Sequence, residues 1–590
     1  MSLELVAIFG VLLVVAVSVI APRVGVAAPL LLVVLGVAVT FLPFVDRVVI
    51  PPELILGGIL PPLLYSAAVN TPTMEFRRDF RLISAFSVIL VVVSAVLIGL
   101  LASALVPGLP LGIGIALGAI ISPTDAVATA VIRQAGVSPR IVTVLEGESL
   151  LNDASALVLL RSAVAAVGVT ISLWQVGLDF LWAVVAAVAI GFVVGKLNLA
   201  VRSRITQVTS NVTLSLVVPF VAYLPAEHVG ASGLVATVAA GLVTGYGAPR
   251  QLGAEERLTE RAVWRTIELL LESAIFLLVG LEAPTLAADL IDSGGSLALA
   301  VVVAVAAATV AIAVRAAFVA WSVWTLARRS RRTPAVRQKL TEMQDRLADG
   351  HVPEFSHPEQ PSAKDRKVRR MARRAGATEG SEEARISRWQ RMVQQRLADI
   401  DYLAAEQFGW REGVILVWAG MRGAVTIAAA QTLPSGTPHR SLLILAATLV
   451  AVGTLLVQGS TLGWIADRLG LTGHAGDSDP EQWAALQADL TRAAATKLSG
   501  TLDGYPSELL QKARERLARV PGADEDDFRP DSAATRERMG KFRALRLDLI
   551  AAQRDELLVL RDLGTYPSGM LDAALAQLDA EQIGIELHRD

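Results

Sequence analysis

Apolar residues run through this chain in long unbroken blocks, and each block is close to the roughly 20 residues that a helix needs to cross a bilayer. Thirteen such segments are predicted: Leu3–Ile20, Gly25–Phe44, Glu53–Val69, Ile83–Val106, Gly112–Ile132, Ile141–Val167, Leu178–Leu197, Asn211–Leu224, Gly233–Tyr246, Ile267–Leu281, Leu297–Leu326, Gly413–Leu433 and Ser441–Ile465. The expected fold class is an all-α polytopic membrane protein, with transmembrane helices 1–11 over residues 1–326 and helices 12–13 over residues 411–470.

Charge falls between the blocks in a regular way. Arg23, then Arg77, Arg78 and Arg81, then Arg133 and Arg140, then Lys196, Arg202 and Arg204, then Arg250, Arg257, Arg261 and Arg265 occupy every second loop. The intervening loops carry little beyond Arg47 and Arg440. The positive-inside rule then places the N-terminus outside and the C-terminus in the cytoplasm of a plasma-membrane protein. An odd number of spans requires the same outcome. A mean hydropathy of +0.53 with 18% charged residues agrees with a membrane protein. The opening MSLELV lacks the basic region of a cleaved signal. With no cysteine, disulfides and thiol chemistry are excluded, and the six histidines show no metal-ligand spacing, so no cofactor and no enzymatic centre is expected.

Two polar pieces flank the last two blocks. Residues 327–410 form a cytoplasmic insert with basic runs at Arg328–Arg332 and Lys364–Arg374. These runs read as patches for anionic lipid headgroups or as a solvated retention patch; without interleaved aromatics they do not read as a nucleic-acid surface. Residues 471–590 form a cytoplasmic helical tail, in which ELLQKARERLARV and AALAQLDAEQIGIEL place apolar residues at helical spacing. No P-loop or GxGxxG motif accompanies them. The tail reads as regulation, dimer contact or plain stabilisation.

The candidate chemistry lies inside the apolar blocks, where an ionisable side chain is costly and marks an ion or proton path. The sixth block carries LEGESLLNDASA, in which Glu148 and Asn152, and likewise Ser149 and Asp153, are four residues apart and share a helical face. The fifth carries SPTDAVATA, where Pro123 breaks the hydrogen-bond ladder immediately before Thr124 and Asp125. The twelfth carries WAGMRGAVTIAAA, with Arg422 between Gly420 and Gly423. Blocks five and twelve are seven apart and so cross in opposite directions, as interrupted helices do in corresponding positions of inverted repeats. Glu148 reads as the ion-pair partner of Arg422. Asp153 reads as the functional carboxylate, with Asn152, Ser149 and the broken fifth helix completing an oxygen cage suited to a hard cation. Glu272, within two turns of the cytoplasmic end of block ten, reads equally as a cation funnel or a cap. Ser66 beside Pro61 and Pro62 is a possible ligand but by default a small packing residue. Asn211 and Thr213 read as interhelical glue, and Glu146 is left without a role near the helix end.

Taken together, LPPLLYSAAVN, SPTDAVA, EGESLLNDASA, ESAIFLLVGLE and WAGMRGAVTIA resemble the monovalent cation/proton antiporter family, which includes bacterial sodium/proton antiporters and animal sodium/proton exchangers. The resemblance implies that Asp153 binds the cation and the proton in turn, with Asp125, Thr124, Ser149 and Asn152 beside the ion. It also implies a buried Glu148–Arg422 pair, and a homodimer with a dimerisation region and a moving core. Many relatives carry an acid where this chain has Ser66, which weakens the case for sodium or moves part of the coordination elsewhere.

The expected function is therefore antiport of a monovalent cation, Na+ first, for H+ by alternating access, serving pH and cation homeostasis. A buried carboxylate is neutralised by either a proton or a cation, so the two compete for it. With Asn152 in place of a second acid, one group titrates, and electroneutral one-for-one exchange is expected. A K+/H+ antiporter of the same fold is the alternative, and a cation channel a weaker one, because a channel needs a continuous path of weak sites.

Overall fold

The computed structural model describes residues 3–24, 28–41, 51, 53–125, 127–166, 173–292, 294–330, 333–348, 382–405, 408–472, 480–500 and 533–587. Among these the ordered structure is helical, with no strand. The chain divides into two compact units, Met1–Thr325 with Phe408–Gly476, and Leu326–Gln407 with Asp477–Asp590.

The first unit is built from α1 (Leu3–Val24), α2 (Ala28–Thr40), α3 (Leu54–Asn70), α4 (Thr73–Leu105), α5 (Leu111–Ile121), α6 (Val127–Gln134), α7 (Pro139–Ala165), α8 (Leu173–Arg202), α9 (Val208–His228), α10 (Gly233–Gln251), α11 (Ala254–Asp292) and α12 (Leu297–Ser330). After the second unit's α13 (Thr333–Ala348) and α14 (Glu382–Ala405) come α15 (Trp410–Trp418), α16 (Ala424–Gln431) and α17 (Arg440–Arg468). Among the described residues each of the thirteen predicted blocks overlaps helix, the fifth α5 plus α6 and the twelfth α15 plus α16. Among the described residues, α4, α9, α11, α12, α17 and Phe180–Arg202 of α8 are single helices long and apolar enough to cross a membrane.

Helix packing here depends on small residues, because lipid tails remove the hydrophobic drive between apolar faces. α4 and α5 meet at Gly118, where an added Cβ would lie 2.6 Å from the Ala95 Cα. α2 and α11 meet at Gly36 and Gly280, whose backbones touch. α3 and α10 meet where Gly241 and Gly245 face the Tyr65 and Val69 backbones. A second polar cluster ties α8, α9 and α11. The buried Arg202 guanidinium donates to both Glu260 carboxylate oxygens (2.9 and 2.8 Å) and to Asn211 Oδ1 (2.6 Å), and Asn211 Nδ2 returns to the Arg202 carbonyl (3.0 Å). Asn211 is thus interhelical glue, whereas Thr213 is exposed and bonds the Thr209 carbonyl of its own helix.

The second unit comprises α13, α14, α18 (Pro480–Gly500), α19 (Ala533–Leu563) and α20 (Ser568–Leu587). Trp389, Leu347 and Val393 form one small core, and Leu486, Leu490, Ile550, Leu557 and Leu575 contribute to another. The insert and the tail pack together, with Gln395 Nε2 donating to the Asp562 carbonyl at 2.9 Å. Burial, and the Asp489 carboxylate that accepts its hydrogen bond at 2.8 Å, push the Tyr566 phenol up to about 12. AALAQLDAEQIGIEL lies on α20, while ELLQKARERLARV, Lys364–Arg374 and Arg331–Arg332 fall outside the described residues.

The close approach at Gly118 predicts that Gly118→Val lowers the melting temperature in detergent, because overpacking costs about 1–3 kcal/mol. Gly453→Ala, with nothing within 4 Å of the added Cβ, does not lower it.

Candidate functional site

Two interrupted helices meet at their breaks. α5 ends at Ile121, Ser122–Asp125 leave the helical path, and α6 resumes at Val127. α15 ends at Trp418, and α16 begins at Ala424. Interrupting a helix away from water frees carbonyls that must find donors. Four consecutive carbonyls do so, each from a different side chain. Arg422 Nε donates to Ile121 (2.8 Å), Asn152 Nδ2 to Ser122 (3.1 Å), Thr426 Oγ1 to Pro123 (3.5 Å) and Ser149 Oγ to Thr124 (2.8 Å). The Asp125 amide donates to the Met421 carbonyl at 2.9 Å, linking the two breaks directly. On the other side, the Arg422 amide donates to Thr454 Oγ1 of α17 at 2.9 Å.

The glycines of the twelfth block are sterically required. A Cβ on Gly423 would collide with the Asp125 carboxylate, and one on Gly420 would lie 2.6 Å from Arg315 Cδ.

α7 runs unbroken past the crossing and carries Glu148, Ser149, Asn152 and Asp153, all buried. Asp153, 4% exposed, lies close enough to Asp125 and Glu148 to feel both charges. Among the described residues no donor reaches Asp153 Oδ1 or Asn152 Oδ1, although both are buried. A carboxylate oxygen withheld from water and from donors has a strong need for a proton or a cation. Asp153, Asp125, Thr124, Ser149 and Asn152 therefore gather at one place. Ser149 and Asn152 reach it while holding the broken backbone.

The expected Glu148–Arg422 pair is corrected. Glu148 is held by Arg315 of α12, whose Nη1 and Nη2 meet its two carboxylate oxygens, the second at 2.8 Å, while Nε donates to the Leu416 carbonyl at 2.7 Å. Arg422 is committed to carbonyls, including that of Gly420, and completes the crossing. Sequence carried a signal for Arg315: it is a lone charge in the middle of the apolar run LAVVVAVAAATVAIAVRAAFVAW.

Glu272 is not merely near a helix end. α11 begins at Ala254, and Glu272 interacts electrostatically with Asp125 and Glu268. Ser66, 1% exposed, donates to Glu268 Oε2 at 3.3 Å, so a carboxylate does stand beside Ser66, contributed by α11. Glu268 escaped the sequence reading, although Glu268 and Glu272 share a helical face at a spacing of four. Glu146 pairs with Arg133 of α6.

The membrane-region sequence matches the family model described as "Sodium/hydrogen exchanger, transmembrane" over residues 9–337 and 392–468. The chain belongs to the sodium/hydrogen exchanger family. Exchangers of this family are transporters, not enzymes. The chain is 28% identical to a protein named an uncharacterized Na(+)/H(+) exchanger of Mycobacterium bovis, over 98% of this chain and 96% of that one. It is 31% identical to the "Sodium, potassium, lithium and rubidium/H(+) antiporter" of Bacillus subtilis, over 43% of this chain and 40% of that one. Its fold is similar to that of the sodium proton antiporter MjNhaP1 from Methanocaldococcus jannaschii, with a TM-score of 0.52 and 16% identity over 81% of this chain and all of that one.

Breaking the Glu148–Arg315 pair from one side leaves a buried charge uncompensated. Arg315→Met or Glu148→Leu alone is expected to cost about 3–5 kcal/mol. The double variant should regain most of that in chemical unfolding of the detergent-solubilised exchanger. Gly423→Ala should abolish exchange by displacing Asp125, read as loss of cation-dependent proton movement in vesicles.

Proposed function

We propose that the protein exchanges a monovalent cation, Na+ first, for H+ at Asp153, one for one, by alternating access across a plasma membrane. The observation that carries this is the balance of buried charge at the crossing. Asp153, Asp125 and Glu148 face Arg315 and Arg422; with these five ionised and the neighbouring Glu272 neutral, one negative charge is in excess. One monovalent cation cancels it, and so does one proton. Both loaded states are then neutral, and each can change its exposure without dragging net charge through the low-dielectric interior.

The oxygen donors around Asp153 suit hard cations in general. K+ is the second reading, favoured by Ser66 standing where an acid is common and by the breadth of cations in the printed name of the Bacillus subtilis relative. The alternation of basic loops supports an N-terminus outside and a C-terminus in the cytoplasm. A homodimer is the expected assembly.

In proteoliposomes, an imposed pH gradient should drive cation uptake against its own gradient, with half-saturation at several-fold lower concentration for Na+ than for K+. Uptake that only follows the cation's electrochemical gradient would identify a channel instead. Clamping the membrane voltage should leave the exchange rate unchanged; current scaling with transport would exclude the one-for-one stoichiometry. Asp153→Asn should reduce exchange to background with the melting temperature retained, and a fully active variant would sink the assignment.

Competition also fixes the sign of the pH dependence. Because a proton occupies the site that the cation needs, acidification raises the half-saturating cation concentration. The rise is about tenfold per pH unit where the site is mostly protonated, as expected for one shared proton. Titrating cation uptake at several pH values checks the slope, and a slope near two would require a second exchanging group.

A further inference from the structure

α7 is held on most sides by contacts that belong with the crossing. Arg140 forks the Asp79 carboxylate of α4 (2.9 and 2.7 Å), Ser87 of α4 donates to the Glu148 carbonyl (3.2 Å), and Glu148 takes Arg315 of α12. A different group of helices packs among itself. α8, α9, α10 and α3 share a core of Tyr65, Ala187, Val218, Ala222 and Ala236, and the Ser232 amide of the α9–α10 turn donates to the Ala183 carbonyl of α8 at 3.1 Å.

An ion pair joins these two groups. Arg161, eight residues or roughly 12 Å along α7 from Asp153, donates through Nη1 to both carboxylate oxygens of Glu227 at 2.9 and 2.8 Å. Glu227 closes α9 and also accepts the Gly233 amide at 2.9 Å, which fixes it to the start of α10. Tyr223, one helical turn before Glu227, also lies near Arg161. The pair lies at the end of α7 remote from the Arg133 and Arg140 loop.

We propose that Arg161–Glu227 is a latch that holds the Asp153 helix against α9 and α10 in the state seen here, and that it opens in each transport cycle. The proposal rests on the alternating-access reading above. If the exposure of Asp153 changes by movement between these two groups, a bond across them must break. The pair is suited to that: its side chains are 44% and 26% exposed, so water can take over both partners when they part. A latch buried as deeply as Arg202–Glu260 would instead trap one state.

The chain contains no cysteine, so Arg161→Cys with Glu227→Cys can be made without removing native thiols. In proteoliposomes, bridging the two thiols with a bis-methanethiosulfonate reagent should reduce cation/proton exchange at least tenfold. Reductant should restore it, and neither single-cysteine protein should respond. Bridged protein that exchanges within twofold of the reduced protein overturns the latch. If the unmodified parent shows no cation-dependent proton movement, the antiport reading fails, and the latch falls with it. Should the double variant be inactive before bridging, Arg161→Gln decides, because it leaves the Glu227–Gly233 bond intact. The latch closes the end of α7 remote from the Arg133 loop, so its loss depopulates the state closed at that end, and the half-saturating cation concentration should rise two- to fivefold on the Arg133 face and fall by a similar factor on the other. Equal shifts on both faces, or none, overturn it.

Discussion

An interrupted helix in a membrane has to satisfy its own backbone, and the arrangement around this crossing follows from that requirement. Four carbonyls in a row are taken up by Arg422, Asn152, Thr426 and Ser149, which come from two separate segments of chain. Side chains that would otherwise be called ion ligands are thus first of all structural donors. The same bonds place Asn152 and Asp153 beside Asp125, so the site exists where the backbone is broken and because it is broken. Each lost helical hydrogen bond in such surroundings costs several kcal/mol if left unmet. The donors are therefore as indispensable as the carboxylate they surround.

Buried charge is distributed in two ways within the same unit. Arg202 with Glu260, and Arg315 with Glu148, are fork-on-fork pairs whose oxygens are fully engaged. They anchor helices and have no spare capacity for a passing ion. Asp153 is different: it lies in the same interior without a donor on Oδ1. The engaged pairs hold a rigid frame, and the unengaged carboxylate is left with the exchangeable bond. A network in which every acid was matched would be more stable and inert.

The helical architecture and the position of the crossing were legible in the sequence, because both depend on local signals. Apolar block length marks the helices, Pro123 marks one break, and Gly420 and Gly423 mark the other. The shared face of Glu148, Ser149, Asn152 and Asp153 follows from helical spacing alone. Partner choice was not legible. Arg315 lies 167 positions from Glu148, and no periodicity says that it, rather than Arg422, will reach the carboxylate. The deciding factor is that Arg422 is consumed by carbonyls which become free only once the helix has unwound. Glu268 was missed for a related reason, since its place beside Ser66 depends on how α11 crosses α3. The tail read as amphipathic helices and the insert as a basic patch, but an apolar face does not name the helix that covers it, and the two pack into one unit.

The length of α11 has a mechanical consequence. Its 39 residues span about 58 Å at the usual helical rise, against a hydrocarbon layer of about 30 Å. Even at a steep tilt such a rod protrudes from the film, and it is continuous from Ala254 through Glu268 and Glu272 to Asp292. A small rocking of the rod at the depth of Asp125 is therefore converted into a larger sweep of its end in water. Were the helix to rock during exchange, its far end would carry that motion out into water, where a binding partner could read it.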